Sequence, residues 1–131
     1  MSRVYLGGKF DERVQIRGYM TELEKLNFVI THDWATYESK SEHPQADMAA
    51  KDVEGVKSAD AVVLLMLDPE YAYRGTFSEL GVALGTNKRI YIVCPDPKAK
   101  CRSNVFFHHP QVHVLASWED VPRVLTPEKS A

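Results

Sequence analysis

The chain has 131 residues, a formal net charge of −2, and 44% hydrophobic and 26% charged residues. That is the mix of one globular domain, expected over residues 1–131, with enough chain to bury a core unaided. The charge excludes a basic footprint for a nucleic-acid polymer, two cysteines exclude a disulfide framework, and no apolar run approaches membrane-spanning length.

Residues 4–7 form a short apolar run closing on Gly7-Gly8, which predicts a strand feeding a tight turn. No signal peptide stands ahead of this strand, so a cytoplasmic setting is expected, with Cys94 and Cys101 as free thiols, the first in a buried strand and the second in a polar loop. Residues 11–26 carry Val14, Ile16, Tyr19, Met20, Leu23 and Leu26 at the spacing of an amphipathic helix. Asn27 stops it, and residues 28–31 make a second strand. Residues 33–44 are polar and irregular around Trp34 and Tyr37, a loop long enough to suggest a task of its own.

Residues 47–57 predict a helix in which Met48, Asp52 and Val56 share one face, with Val53 beside them. A carboxylate in an apolar stripe is costly unless it has a partner, faces a cavity or reaches water at the stripe's edge. Residues 61–67 are unbroken apolar residues, the mark of a central parallel strand. A loop over 68–75 leads to a helix over 76–85, where Thr76 and Glu79 have the spacing of a capping box. The same Glu79 would stand at the end of the most buried strand, and Gly81 one turn on leaves room for close packing. A strand over 89–93, a loop over 95–102, a strand over 112–115, a helix over 118–125 and a tail frayed from Thr126 complete the chain.

Strands alternating with helices predict an α/β fold. The expected form is a doubly wound five-stranded parallel sheet in flavodoxin-like order, with helices on both faces and a ligand crevice where the strand order switches. Into that crevice the sequence directs Gly7, Gly8, Lys9 and Phe10 after the first strand, Asp52, and the segment from Gly75 to Glu79. Cations and polar donors at Lys98, Lys100, Arg102, Ser103 and Asn104 suit a phosphate or a sugar hydroxyl. His43, His108, His109 and His113 lack zinc-ligand spacing, so no metal is expected, and no nucleophile elbow is present.

In order and at similar intervals, five stretches resemble the nucleoside 2-deoxyribosyltransferase superfamily, which includes deoxynucleoside 5′-monophosphate N-hydrolases. They are Tyr5-Leu6-Gly7-Gly8, Lys51-Asp52-Val53-Glu54-Gly55-Val56, Ser58-Ala59-Asp60-Ala61-Val62-Val63, Gly75-Thr76-Phe77-Ser78-Glu79-Leu80-Gly81-Val82-Ala83 and Asn87-Lys88. The resemblance implies Glu79 as the nucleophile at the anomeric carbon, Asp52 as the acid serving the leaving base, and Tyr5 as the residue that fixes the nucleophile. It implies substrate contacts from Gly7, Gly8, Lys9, Phe10, Tyr73, Arg74 and Gly75. Ser103 and Asn104 fall where the family reaches into a neighbouring subunit, which implies a homodimer or larger assembly. A small deoxynucleoside or deoxynucleotide substrate and no cofactor follow.

Two features depart from the transferases. Where they carry a base-reading aspartate, this chain has Glu70-Tyr71-Ala72-Tyr73-Arg74, and its tail offers no obvious counterpart to their terminal carboxylate. The monophosphate hydrolases also lack that aspartate. Three functions follow: a deoxyribosyltransferase, a monophosphate N-hydrolase, or a nucleotide-binding module without turnover.

Overall fold

The computed structural model describes residues 2–41 and 43–126; the expected fraying from residue 127 onward lies outside them. Five parallel strands make one sheet in the order β2-β1-β3-β4-β5, the flavodoxin-like order. They are β1 (Arg3–Gly8), β2 (Val29–Ile30), β3 (Ala61–Leu65), β4 (Arg89–Val93) and β5 (Val112–Leu115). β3 is buried along its whole length, as its unbroken apolar sequence requires at the centre of a sheet covered on both faces. β2 is shorter than expected: its pairing with β1 covers only Arg3 to Val29 and Val4 to Ile30.

The longer helices are α1 (Arg13–Lys25), α2 (Gln45–Lys57) and α3 (Arg74–Gly85), with a short α4 (Val121–Leu125) closing the described chain. None is long and apolar enough to cross a membrane. α2 packs on α3, and α3 lies over β1, β3 and β4. α1 packs on β1 and β2, and its Tyr19 stacks at 4.1 Å on Trp118, in the turn that leads into α4. Ile16, Met20 and Leu23 bury the inner stripe of α1, whereas Val14 is 82% exposed and Leu26 54% exposed, so the apolar pattern overstated that face. A 3-10 turn over Phe10–Glu12 precedes α1 where the helix was expected to begin.

Strand alternation decides what each residue of β1 meets. Tyr5 and Gly7 point toward α2 and α3; the side next to Gly8 is filled by Ile16 of α1. Cys101, expected in a polar loop, is buried with Cys94, and their free thiols lie 3.8 Å apart.

Candidate active site

A cleft of about 380 Å³ opens beyond the carboxyl ends of β1 and β3, within the usual range for a small-molecule site. This is where the strand order switches: β1 lies between β2 and β3, and the chain leaves it in one direction and returns on the other side. Tyr5, Gly8, Lys9 and Phe10 of the first strand and its turn form the floor. Met48, Asp52 and Val53 of α2 form one wall, and Gly75, Thr76, Ser78 and Glu79 of α3 the other.

The wall from α3 depends on how that helix starts. Its N-cap is Tyr73, held in the left-handed region at φ 56, three residues before the Thr76 that a capping box would place there. Thr76 is therefore inside the first turn and buried, and the capping box does not form. The carboxylate of Glu79 is left to accept a hydrogen bond from the Tyr5 hydroxyl through Oε2. Glycine at position 7 is what makes this possible: an added Cβ would lie 2.6 Å from Glu79 Oε1 and 2.9 Å from Leu64 Cδ2. Gly7 and Gly8 were expected to contact the substrate; Gly8 lines the cleft and Gly7 does not, and the missing side chains make room for Ile16 at Gly8 and for Glu79 at Gly7. Gly81, expected to admit a close neighbour, faces open space.

On α2, Asp52 faces the cleft beside Met48, while Val56 is buried one turn on. Gly55 brings that helix close to β1, since a Cβ there would lie 2.9 Å from both Tyr5 Cδ1 and His32 Cβ. His32 Nε2 lies 3.5 Å from Asp52 Oδ1.

Burial pushes the Glu79 carboxyl up to about 8, opposed by the Tyr5 hydrogen bond and reinforced by the Asp52 charge. Burial likewise pushes Asp52 up to about 6. Tyr5 is held well above the usual phenol range, first by burial and then by the charges of Glu79 and Asp52, so it remains a donor. Two interacting carboxyls of this kind share one proton across the neutral range. Such a pair can supply one carboxylate and one acid to the same bound molecule.

The long polar loop supplies a part of the cleft that the sequence left unassigned. Asp33 Oδ1 accepts from Ala35 N at 3.1 Å and starts a 3-10 turn over Trp34–Thr36. Trp34 is buried, with its indole Nε1 donating to the Leu6 carbonyl at 2.7 Å. Trp34 and Tyr37 both line the cleft, as does Lys40. Two aromatic residues in an otherwise polar loop were the available signal. Tyr71 lines the cleft from the loop after β3, with Lys9 Nζ 4.6 Å above its ring and 2.8 Å from Asp68 Oδ2.

Besides Gly7, four expected substrate residues lie elsewhere. Tyr73 is buried at 1% exposure, and its hydroxyl accepts from Asp68 N at 2.8 Å and donates to Glu12 Oε1 at 3.1 Å. It braces the loop instead of facing the cleft. Arg74, Ser103 and Asn104 gather at a second, shallower pocket with Lys100 and Phe77. Arg74 opens α3 one residue before Gly75, yet it is Gly75 that reaches the cleft.

The family model for nucleoside 2-deoxyribosyltransferase matches residues 4–111. Among solved structures, the CMP N-glycosidase of Clostridium botulinum is similar in fold, with a TM-score of 0.58 at 16% identity over 94% of this chain and 96% of that one. No curated protein sequence matches the chain.

Proposed function

The chain belongs to the nucleoside 2-deoxyribosyltransferase family, and we propose that it cleaves the N-glycosidic bond of a 2′-deoxynucleoside through a covalent bond to Glu79 and passes the deoxyribosyl group to another base. The observation that carries this reading is the pairing of Glu79 and Asp52 on opposite walls of one cleft, with Tyr5 bonded to Glu79 from the floor.

In this mechanism the sugar lies between the two carboxyls. As the C1′–N bond breaks, its electron pair stays on the base nitrogen and Asp52 donates a proton there, so the base departs neutral. Positive charge developing on the sugar is met by the Glu79 carboxylate, which bonds to C1′. The acceptor base then attacks C1′ from the vacated side, Asp52 takes its proton, and Glu79 is released. Two inversions at C1′ give net retention. Trp34, Tyr37, Phe10 and Tyr71 supply apolar surface for a planar base.

A second reading is hydrolysis of a 5′-monophosphate, with water as acceptor. It is favoured by Lys9 and Lys40, both lining the cleft, and by the fold shared with a CMP N-glycosidase. In either reading Arg74, Ser103 and Asn104 serve the 5′ end of the substrate in a neighbouring copy, within a homodimer or larger assembly. Their grouping at a pocket of their own, apart from Glu79, supports that role.

The test is incubation of the protein with deoxynucleosides and their monophosphates, with and without a second free base, and chromatography of the products. A new nucleoside supports transfer, whereas free base and sugar alone support hydrolysis. Glu79→Ala should abolish either outcome. Binding without products would overturn both and leave a binding module.

A further inference from the structure

His32 follows β2 and turns its ring toward α2. Its Nε2 is buried and has no hydrogen-bond partner among the described residues. It lies 3.5 Å from Asp52 Oδ1, close enough for an ion pair but off the alignment of a hydrogen bond. A buried ring nitrogen left without a partner is costly, and here the atom it faces is the one that changes charge in the proposed reaction. The chain holds the histidine there by two devices. Thr31 Oγ1 donates to the Gly55 carbonyl at 2.7 Å, and the absent side chain of Gly55 lets the His32 Cβ approach α2.

We infer that His32 is a positioning residue for Asp52, donating from Nε2–H to the carboxylate that remains once Asp52 has protonated the leaving base. The inference rests on the glycosyl-transfer reading above. In the first half-reaction the Asp52 proton moves to the base nitrogen as the C1′–N bond breaks and a Glu79 oxygen bonds to C1′. Asp52 is then an anion in a half-buried site, and a small rotation of either side chain closes its contact with His32. In the second half the acceptor gives its proton back to Asp52 as the C1′–Glu79 bond breaks, and the contact opens again. His32 neither gains nor loses a proton; it fixes one carboxylate oxygen so that the other faces the base.

The groups around this pair are known. Burial first, and then Lys51 on α2, hold the imidazole below its usual range and favour the neutral donor form, with Asp33 opposing them. The Tyr37 ring stands edge-on to His32 at 6.0 Å. Asp52 in turn meets the charge of Glu79 on α3 and lies near Tyr5 on β1.

The experiment compares His32→Phe and His32→Gln in the full chain. His32→Phe should lower kcat by about tenfold or more with KM nearly unchanged, and should move the acidic limb of the pH–rate profile, which carries Asp52, upward by about one unit. His32→Gln, which keeps an N–H donor, should recover most of the rate and the limb. An unmoved limb in His32→Phe, or equal losses in both variants, would overturn the inference. A measurement without turnover separates it from the proposed activity: the ring nitrogens of His32 are titrated by NMR in the native protein and in Asp52→Asn. The midpoint should fall by about half a unit or more without the carboxylate; an unchanged midpoint would sink the pairing even if the enzyme is active, and a shift would uphold it even if the substrate is different.

Discussion

Replacing Tyr5 by phenylalanine keeps the ring that fills the space beside Gly55 and Gly7 and removes one hydroxyl, the donor to Glu79 Oε2. A hydrogen bond to a charged acceptor is worth about 1.5–3 kcal/mol. At about 1.4 kcal/mol per pKa unit, its loss raises the Glu79 carboxyl by roughly one to two units. The native value is already pushed up to about 8, with Asp52 at about 6. The reactive arrangement, with Glu79 ionised and Asp52 protonated, is thus the minority partition of the shared proton near neutrality. Tyr5→Phe makes it rarer by about 10- to 100-fold, and kcat/KM at pH 7 should fall by that factor. Well above both values the two carboxyls are ionised in either protein, and the reactive form is limited only by the proton on Asp52, so the two rate curves should converge. The assay is base release followed by ultraviolet absorbance across the pH range. A bell whose alkaline limb lies higher in the variant, with a deficit that shrinks as pH rises, is the expected result. A constant offset with unmoved limbs, or no loss, would refute the reasoning about the proton.

Gly7→Ala should cost about 100-fold in kcat and about 1–3 kcal/mol of stability, because the new methyl competes with Glu79 Oε1 and Leu64 for space. Gly81→Ala, with nothing near it, should leave activity intact and raise the melting temperature, giving an internal control. Glu79→Gln should stabilise the fold more at pH 9 than at pH 5. The native carboxyl has a folded value raised from 4.5 to about 8, so its favourable contribution is complete below the unfolded value and is lost as pH rises through the folded one. Thermal melts at the two pH values check this, and equal shifts at both would contradict it. Trp34→Phe leaves the Leu6 carbonyl without its donor, so denaturant unfolding should register a loss of about 1–3 kcal/mol together with weaker substrate binding.

Where one physical term dominated, the sequence was legible. β4 begins and ends where the sequence predicts, because a strand inside the sheet is set by burial; β5 also keeps its expected bounds, although it is a half-exposed edge strand. Helix starts were harder. α3 begins at Arg74 because Tyr73 adopts a left-handed conformation, a choice that the sequence does not announce, since tyrosine has no preference for it. The capping-box spacing of Thr76 and Glu79 was a true local signal that lost to a tertiary one, the Tyr5 hydroxyl 74 positions away in sequence. The expected closing helix over 118–125 is instead a 3-10 turn over Trp118–Asp120 running into α4, with Pro122 in the first turn of α4. Asp52 stood out as a carboxylate in an apolar stripe, and it faces the cleft. Trp34 was visible only as an aromatic in a polar loop, because its partner is a backbone carbonyl on β1 that no side-chain pattern encodes. Tyr73 was misplaced for the same reason: its hydroxyl partners are a main-chain amide and Glu12.

Retention at C1′ requires a transient bond between Glu79 and the sugar. The direct measurement is mass spectrometry of the protein after reaction with a 2′-fluorinated deoxynucleoside carrying a good leaving base; its electron-poor sugar slows both steps, and the reactive base lets the adduct form and accumulate when no acceptor base is added. The result expected is a mass increase of one fluorodeoxyribosyl group, mapped by peptide sequencing to Glu79 and absent in Glu79→Ala. An adduct on another residue, or base release with an unmodified protein and inversion at C1′, would contradict it.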